Sequence, residues 1–492
     1  MKANDSTQAG RATPDLNRTK IVCTLGPASS DEKTLRAMIQ AGMDVARINL
    51  SHGKHEEHAN RIGMVRRMAD ETGRVVAIMA DLQGPKIRIG HIANEPLMLH
   101  EGEEVTLTAG DTATIDGIIP VPHPEIVRDV AVGGSVWLDD GMFELSVVDK
   151  SQDKARCRVV TGGPLVSRKG ISAPGVKMEV AFLTTKDLAD LRFAIEQTVD
   201  YVAMSFVRTD EDIRHLRRLM HEFGANIPIV AKIERPEALE NVEGIVRVCN
   251  AVMVARGDLG IEAPVEEVPA YQKRIIRICN HAGRPVITAT QMLNSMILNP
   301  RPTRAESSDV YNAIHDGTDA VMLSGETAVG QYPVRAVKTM ARIAQRAEAH
   351  FPYETWEVEE EKEGHTHSIP DAIGRATCSI AKELNAKAII TSTRSGYTAL
   401  QVARHRPRTR LICTTPSAET HRRMALVWGV EALLAEEYHH TDQMIEVTMR
   451  AATEAGLVEQ GDLVVITAGT PTAHQGQTNL LKVHWVGETE KL

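Results

Sequence analysis

Aromatic side chains are scarce. Four Trp, seven Tyr and six Phe make up 3% of 492 residues, and acidic groups outnumber basic ones for a formal net charge of -9. A nucleic-acid binder needs the opposite, a basic footprint and stacking platforms, so no nucleic-acid partner is expected. Cysteine is sparse too. Cys23, Cys157, Cys249, Cys279, Cys378 and Cys413 show no C-x-x-C spacing and most sit in apolar runs, which argues against a disulfide framework or a thiolate zinc site and predicts buried free thiols in a reducing compartment. No run of eighteen apolar residues occurs, and the first eighteen residues are polar with no apolar leader core. The expectation is a cytoplasmic protein with no membrane partner.

What is present is a long alternation. At about 150 residues per domain, the length suggests roughly three domains. Strand-like apolar runs at residues 19–27, 43–51, 74–82, 199–206, 227–234, 251–258, 284–291 and 318–326 alternate with helical patterns. Such alternation predicts parallel βα units, and eight of them match a closed (β/α)8 barrel, with an open doubly wound sheet as the alternative. Polar residues gather at the C-terminal ends of the runs, the end that carries the active site in barrels: Arg47, Asn49, Ser51, Asp81, Lys232, Glu234, Asp258, Thr290, Ser324 and Glu326. The reading divides the chain into an arm (1–18), a barrel (19–85 and 181–353), an inserted β domain (86–180), an acidic linker (354–367) and a C-terminal open α/β domain (368–492). The insert enters beside Asp81 and Arg88, so it is placed to close over the barrel mouth and exclude water.

Two strand ends suggest chemistry. Side chains on a strand alternate faces, so Lys232 and Glu234 point the same way, and Asp258 ends the next apolar run. Hard divalent cations such as Mg2+ take one or two protein carboxylates and leave positions for substrate and water, although a plain salt bridge at a strand end has the same pattern. In the C-terminal domain, Thr393-Arg-Ser-Gly-Tyr-Thr398 follows a strand and precedes a helix; it reads equally as a phosphate cradle or a capped turn. Thr303-Arg-Ala-Glu306 reads as a capping box.

Six blocks then stand in order: Ala46-Arg-Ile-Asn-Leu-Ser-His-Gly53, Asp81-Leu-Gln-Gly-Pro-Lys-Ile-Arg88, Ala231-Lys-Ile-Glu234, Met253-Val-Ala-Arg-Gly-Asp-Leu-Gly260, Thr288-Ala-Thr-Gln-Met292 and Pro302-Thr-Arg-Ala-Glu306. Together they resemble the pyruvate kinase family over nearly everything after Arg18. The resemblance implies a (β/α)8 barrel with an inserted small β-barrel lid and a C-terminal α/β effector domain. It implies transfer of the phosphoryl group of phosphoenolpyruvate to ADP, giving ATP and an enolate that is protonated to pyruvate. By the same resemblance, Arg47 and Arg88 face the phosphoryl oxygens and Lys232 faces the enolate oxygen. Glu234 and Asp258 match the ligands of Mg2+, with Mn2+ as an alternative. Gly257 and Asp258 receive the substrate carboxylate and Thr290 closes the pocket. Asn49, Ser51, His52, Arg88 and Lys169 match nucleotide contacts, with Arg168 able to replace Lys169. Ser324 and Thr290 are placed to order the water that protonates the enolate, and the proton donor is left open. A homotetramer with Arg304 at a subunit contact is also implied.

The chain departs from the family pattern in two places. Many members bind K+ at positions matching Asn49, Ser51, Asp81 and a threonine where this chain has Leu82, and carry a glutamate where it has Lys86. Leucine offers no side-chain oxygen and a fixed ammonium supplies charge, so a K+-independent, bacterial-type enzyme is expected. The effector positions match Thr393, Arg394, Ser395, Gly396 and Thr398, with His474 and Gly476 on a second loop that holds no Lys or Arg. That loop favours a sugar monophosphate or AMP over a bisphosphate. Two rival readings are a Mg2+-dependent barrel lyase acting on pyruvate and a non-catalytic metabolite sensor.

Overall fold

The computed structural model describes residues 17–139, 141–174, 176, 182–354, 356, 368–469 and 478–488. Each of the eight expected runs contains one strand: Lys20–Thr24, Val45–Asn49, Ala77–Asp81, Tyr201–Met204, Ile229–Ile233, Ala251–Ala255, Val286–Ala289 and Ala320–Leu323. All pair in parallel, and the first closes on the last with Lys20 opposite Ala320. The sheet is therefore a closed barrel and not an open one. Its strands are almost wholly buried because both faces are covered, which is why they read as continuous apolar runs.

Alternation sorts those residues into two layers. Val22, Val45, Met79, Ala203, Val230, Met253, Ile287 and Met322 fill the interior, while Ile21, Ile48, Ala80, Met204, Ile233 and Val254 pack outward against the helices. Carrying that period of two to the C-terminal ends turns Arg47, Asp81, Lys232 and Glu234 inward. Leu82, one residue past Asp81, is buried in the outer layer.

The insert has its own apolar core, including Leu107, Ile119, Val136, Leu145 and Cys157. It consists of a six-stranded sheet, with Phe143–Lys150 and Lys154–Thr161 at its centre, and a two-stranded ribbon of Leu97–Leu99 with Gly163–Leu165. Its strand Ile171–Ser172 reaches the barrel, where the Ser172 hydroxyl donates to Glu262 at 2.9 Å.

The C-terminal domain is a five-stranded sheet in the order Val430–Leu434, Arg410–Thr415, Ala388–Ser392, Leu463–Ala468 and Leu480–Trp485, the last antiparallel. The first and last are edge strands that the sequence reading passed over. This domain docks on the foot of the barrel, away from the polar mouth. Buried Arg406 pairs with Asp319 at 3.0 Å and donates to Gly317 O at 2.6 Å, while Arg422 pairs with Asp200 at 2.8 Å. All six cysteines are free, and burial pushes the Cys157 thiol up to about 12. Among the described residues, no helix is long and apolar enough to cross a membrane.

Candidate active site at the barrel mouth

Four inward-facing side chains form a buried ionic network. Arg47 Nε donates to Asp81 Oδ2 at 2.7 Å and its Nη1 to Thr24 Oγ1 at 2.9 Å. Lys232 Nζ lies 3.4 Å from Asp81 Oδ1 and 2.9 Å from Glu234 Oε1, and donates to Ser205 Oγ at 2.6 Å. Glu234 Oε2 accepts from the backbone N–H of Phe206 at 2.7 Å. The salt bridge that the Lys232–Glu234 pattern left open is therefore present, but as one edge of a larger cluster.

The charges in that cluster are uneven. Burial disfavours the Lys232 ammonium, yet the carboxylates of Asp81, Glu234 and Asp258 outweigh it and hold the lysine above its ordinary value. Burial also works against the Asp81 carboxylate, but Lys232 and Arg47 more than compensate, and its pKa falls. At Glu234, burial and the neighbouring Asp258 charge prevail over Lys232, so its pKa rises. Glu234 Oε1 is buried and accepts no hydrogen bond of good geometry. Its close partner is the Lys232 ammonium at 2.9 Å, and a divalent cation would relieve the Glu234–Asp258 repulsion, so the pair fits a hard metal. Among the described residues no cluster of three or more His, Cys, Asp or Glu forms a metal set, so a cation at these two carboxylates would need further ligands of another kind.

The second wall is a strained turn. Thr290 (φ 69°) and Gln291 (φ 57°) both occupy the left-handed region, which for a β-branched residue such as Thr costs on the order of 1–3 kcal/mol. Thr290 Oγ1 accepts from Gly257 N–H at 2.7 Å and donates to Ala289 O at 2.6 Å. A Cβ at Gly257 would lie 3.4 Å from Thr290 Oγ1, an ordinary van der Waals contact, so the hydrogen bond and not the absence of a side chain fixes this approach. The Ser324 hydroxyl is buried without a hydrogen-bond partner, while its backbone N–H donates to Glu326 at 2.7 Å.

Around the rim, Asn49 Oδ1 accepts from Ser51 N–H at 3.1 Å, His52 is exposed, and Arg88 Nη1 donates to Arg168 O at 3.0 Å. Lys169 pairs with Asp139 at 2.9 Å, whereas Arg168 turns to Asp111 at 3.2 Å. Lys86 lines a narrow cleft of about 40 Å3 between insert and barrel, together with Trp137, Ser172, Phe206, Asp258 and Glu262. The charges acting most on Asp81 are Lys232 and Arg47. In the C-terminal domain, Thr393 Oγ1 accepts from Gly396 N–H at 3.1 Å, with Gly396 at φ 84°, and Thr398 shares a hydrogen bond with Thr478 at 2.9 Å. Arg394 pairs with Glu437 at 2.7 Å and Ser395 is exposed. His474 and Gly476 lie outside the described residues.

Two residues of this region escaped the sequence reading. Ser205 bridges Lys232 and Leu82 O, to which it donates at 2.8 Å; it ends the fourth run on the inward side, and alternation alone could have found it. Arg256 stands inside a quoted block, but its partners Asp309 and Thr290 are distant in sequence.

Comparison with known proteins bears on this geometry. The family model described as pyruvate kinase, barrel domain, matches residues 16–337, and that described as pyruvate kinase, alpha/beta domain, matches residues 371–484. A pyruvate kinase of Geobacillus stearothermophilus is 48% identical over 474 residues, covering 96% of this chain and 81% of that protein. One from Staphylococcus aureus (strain MRSA252) is 45% identical over 475 residues with the same coverage. The crystal structure of a pyruvate kinase from Cryptosporidium parvum superimposes with a TM-score of 0.90 at 34% identity over 96% of both chains. Models for both large domains, and relatives aligned from end to end of the barrel and beyond it, establish that the chain belongs to the pyruvate kinase family of phosphotransferases.

Proposed function

We propose that the barrel mouth transfers the phosphoryl group of phosphoenolpyruvate to ADP, releasing pyruvate and ATP, with the residue roles below. The observation that carries the reading is the buried Arg47–Asp81–Lys232–Glu234 network beside the Gly257–Thr290 contact. Phosphoryl transfer needs positioning and charge stabilisation more than covalent help. Arg47 and Arg88 hold the phosphoryl oxygens through guanidinium forks. Gly257 N–H, exchanging its bond to Thr290 Oγ1 for the substrate, and Asp258 N–H receive the substrate carboxylate, and Thr290 closes over it. Lys232, kept charged by three carboxylates, faces the oxygen that becomes the enolate. Glu234 and Asp258 would hold Mg2+, or Mn2+, which when bound supplies Lewis-acid charge stabilisation and orients the substrate. The unpartnered Ser324 hydroxyl and Thr290 order the water that returns a proton to the enolate.

Asn49, Ser51, His52, Arg88 and Lys169 contact the nucleotide, and the insert (86–180) closes as a lid along the cleft that Lys86 lines. In this reading residues 19–85 and 181–353 do the chemistry and 368–492 sense an effector. A coupled assay of ADP-dependent pyruvate release from phosphoenolpyruvate tests the function: release is expected, and its absence with saturating divalent metal would reject the reading. A lyase would release pyruvate without ADP.

The same assay reads the monovalent cation. Asp81 already has Arg47 and Lys232 on its two oxygens, Leu82 is buried in the outer layer, and Lys86 brings an ammonium to the cleft. Replacing K+ by Na+ or tetramethylammonium is therefore expected to change the rate by less than about two-fold. A loss of more than about ten-fold would refute K+ independence.

The effector site is assigned to Thr393, Arg394, Ser395, Gly396 and Thr398, together with His474 and Gly476. Supporting it are the exposed Arg394 and Ser395, on the turn that Gly396 N–H closes onto Thr393 Oγ1. A sugar monophosphate or AMP is expected to lower the phosphoenolpyruvate concentration for half-maximal rate more than fructose 1,6-bisphosphate does; the reverse ranking would contradict it. The assembly inferred is a homotetramer, consistent with the edge strand Leu480–Trp485 whose Trp485 is 51% exposed, and a monomeric mass in solution would refute it.

A further inference from the structure

We propose that Arg256 is a positioning residue that holds the carboxylate pocket in the shape that binds substrate. The inference rests on the reading above that Gly257 and Thr290 receive the substrate carboxylate. Two consecutive non-glycine residues in the left-handed region, Thr290 and Gln291, do not hold that conformation by local preference; the surroundings must impose it. Arg256 is what imposes it. Its Nη2 donates to Thr290 O at 2.8 Å and its Nε to Ala289 O at 3.3 Å, so one guanidinium grips the two successive carbonyls at the start of the turn.

The fork is itself anchored. Nη1 donates to Asp309 Oδ1 at 2.7 Å, on the helix Arg304–His315, and to Gln272 Oε1 at 3.2 Å, on the helix Val268–His281. The Arg256 side chain is 12% exposed, so these bonds form largely away from water. Its backbone leads directly to Gly257, whose N–H meets Thr290 Oγ1. Arg256 thus joins both walls of the pocket: the main chain fixes one and the side chain fixes the other. Lysine would do this less well, because its ammonium lacks the planar fork that meets two successive carbonyls and a carboxylate in fixed directions. The guanidinium faces carbonyls and helices and touches none of the reacting atoms.

Steady-state kinetics of Arg256→Met, Arg256→Lys and Asp309→Asn, with calorimetric binding of phosphoenolpyruvate, test the inference. Arg256→Met is expected to raise the KM for phosphoenolpyruvate roughly 10- to 100-fold, the loss of a charge-assisted hydrogen bond, with the KM for ADP changed less than about two-fold. Arg256→Lys and Asp309→Asn are expected to shift the same constant in the same direction by smaller factors. Combined with Thr290→Ala, the Arg256→Met effect should be clearly less than multiplicative, because both act on one pocket wall. A KM for phosphoenolpyruvate within about two-fold of wild type in the folded variants, whatever happens to thermal stability, would overturn the proposal, as would a fully multiplicative double variant. If Arg256→Met does not fold, Arg256→Lys and Asp309→Asn decide on the same split. A wild-type enzyme without phosphoenolpyruvate turnover would instead remove the function reading, and this inference with it.

Discussion

Lys232→Met lowers kcat by roughly 10²- to 10³-fold, the range for removing one preorganised donor to a developing oxyanion, with little change in the KM for ADP. Methionine keeps the length and apolar stem of the side chain but removes the charge. The ammonium sits 2.9 Å from Glu234, 3.4 Å from Asp81 and 2.6 Å from Ser205, in a site where burial magnifies electrostatic effects. Burial alone would push the proton off; Asp81, Glu234 and Asp258 together reverse that and keep the lysine charged through the neutral range. A charge held in place before the reaction stabilises a negative oxygen that appears only during it, so the loss falls on kcat. Asp81 retains Arg47 at 2.7 Å, so the network does not lose every cation. A variant with kcat within about two-fold of wild type would show that the enolate charge is met elsewhere.

Glu234→Gln is the second large effect. The divalent metal concentration for half-maximal rate should rise on the order of 10²-fold, because one of the two carboxylates proposed to hold the metal loses its charge. The amide can still accept from Phe206 N–H, now at 2.7 Å to the carboxylate, so the main chain has no reason to move. Its NH2 group then faces the Lys232 ammonium, two donors where an ion pair stood, which costs kcat as well. The raised pKa of Glu234, caused first by burial and then opposed by Lys232 and reinforced by Asp258, describes a carboxylate whose loss of hydration its nearest cation does not fully offset. A bound divalent cation would add to that offset. A Mg2+ titration of the initial rate measures it, and an unchanged midpoint would remove Glu234 from the metal site.

Much of this site was legible because strand alternation is a strict rule. Arg47, Asp81, Lys232 and Glu234 all face inward, as a period of two requires, and the same rule sends Leu82 outward. The barrel closure followed from counting eight runs, and the capping box at Thr303 and Glu306 formed as its spacing required, with Thr303 Oγ1 accepting from Glu306 N–H at 3.2 Å. What alternation does not carry is contact across distant segments. The left-handed Thr290 contradicts its residue type, and Arg256 reaches carbonyls more than thirty positions away. The edge strands Val430–Leu434 and Leu480–Trp485 were hidden because, among the described residues, one side of each has no strand beside it, and their half-exposed, polar-interrupted sequences do not read as core.

The central claim is that Lys232 and the Glu234–Asp258 pair together stabilise an enolate. Exchange of pyruvate methyl protons into D2O, followed by NMR with enzyme, divalent metal and ATP, isolates that step from phosphoryl transfer. Wild type is expected to exchange, and Lys232→Met and Glu234→Gln to exchange roughly 10²-fold more slowly or worse. Exchange at the wild-type rate in Lys232→Met would contradict the claim.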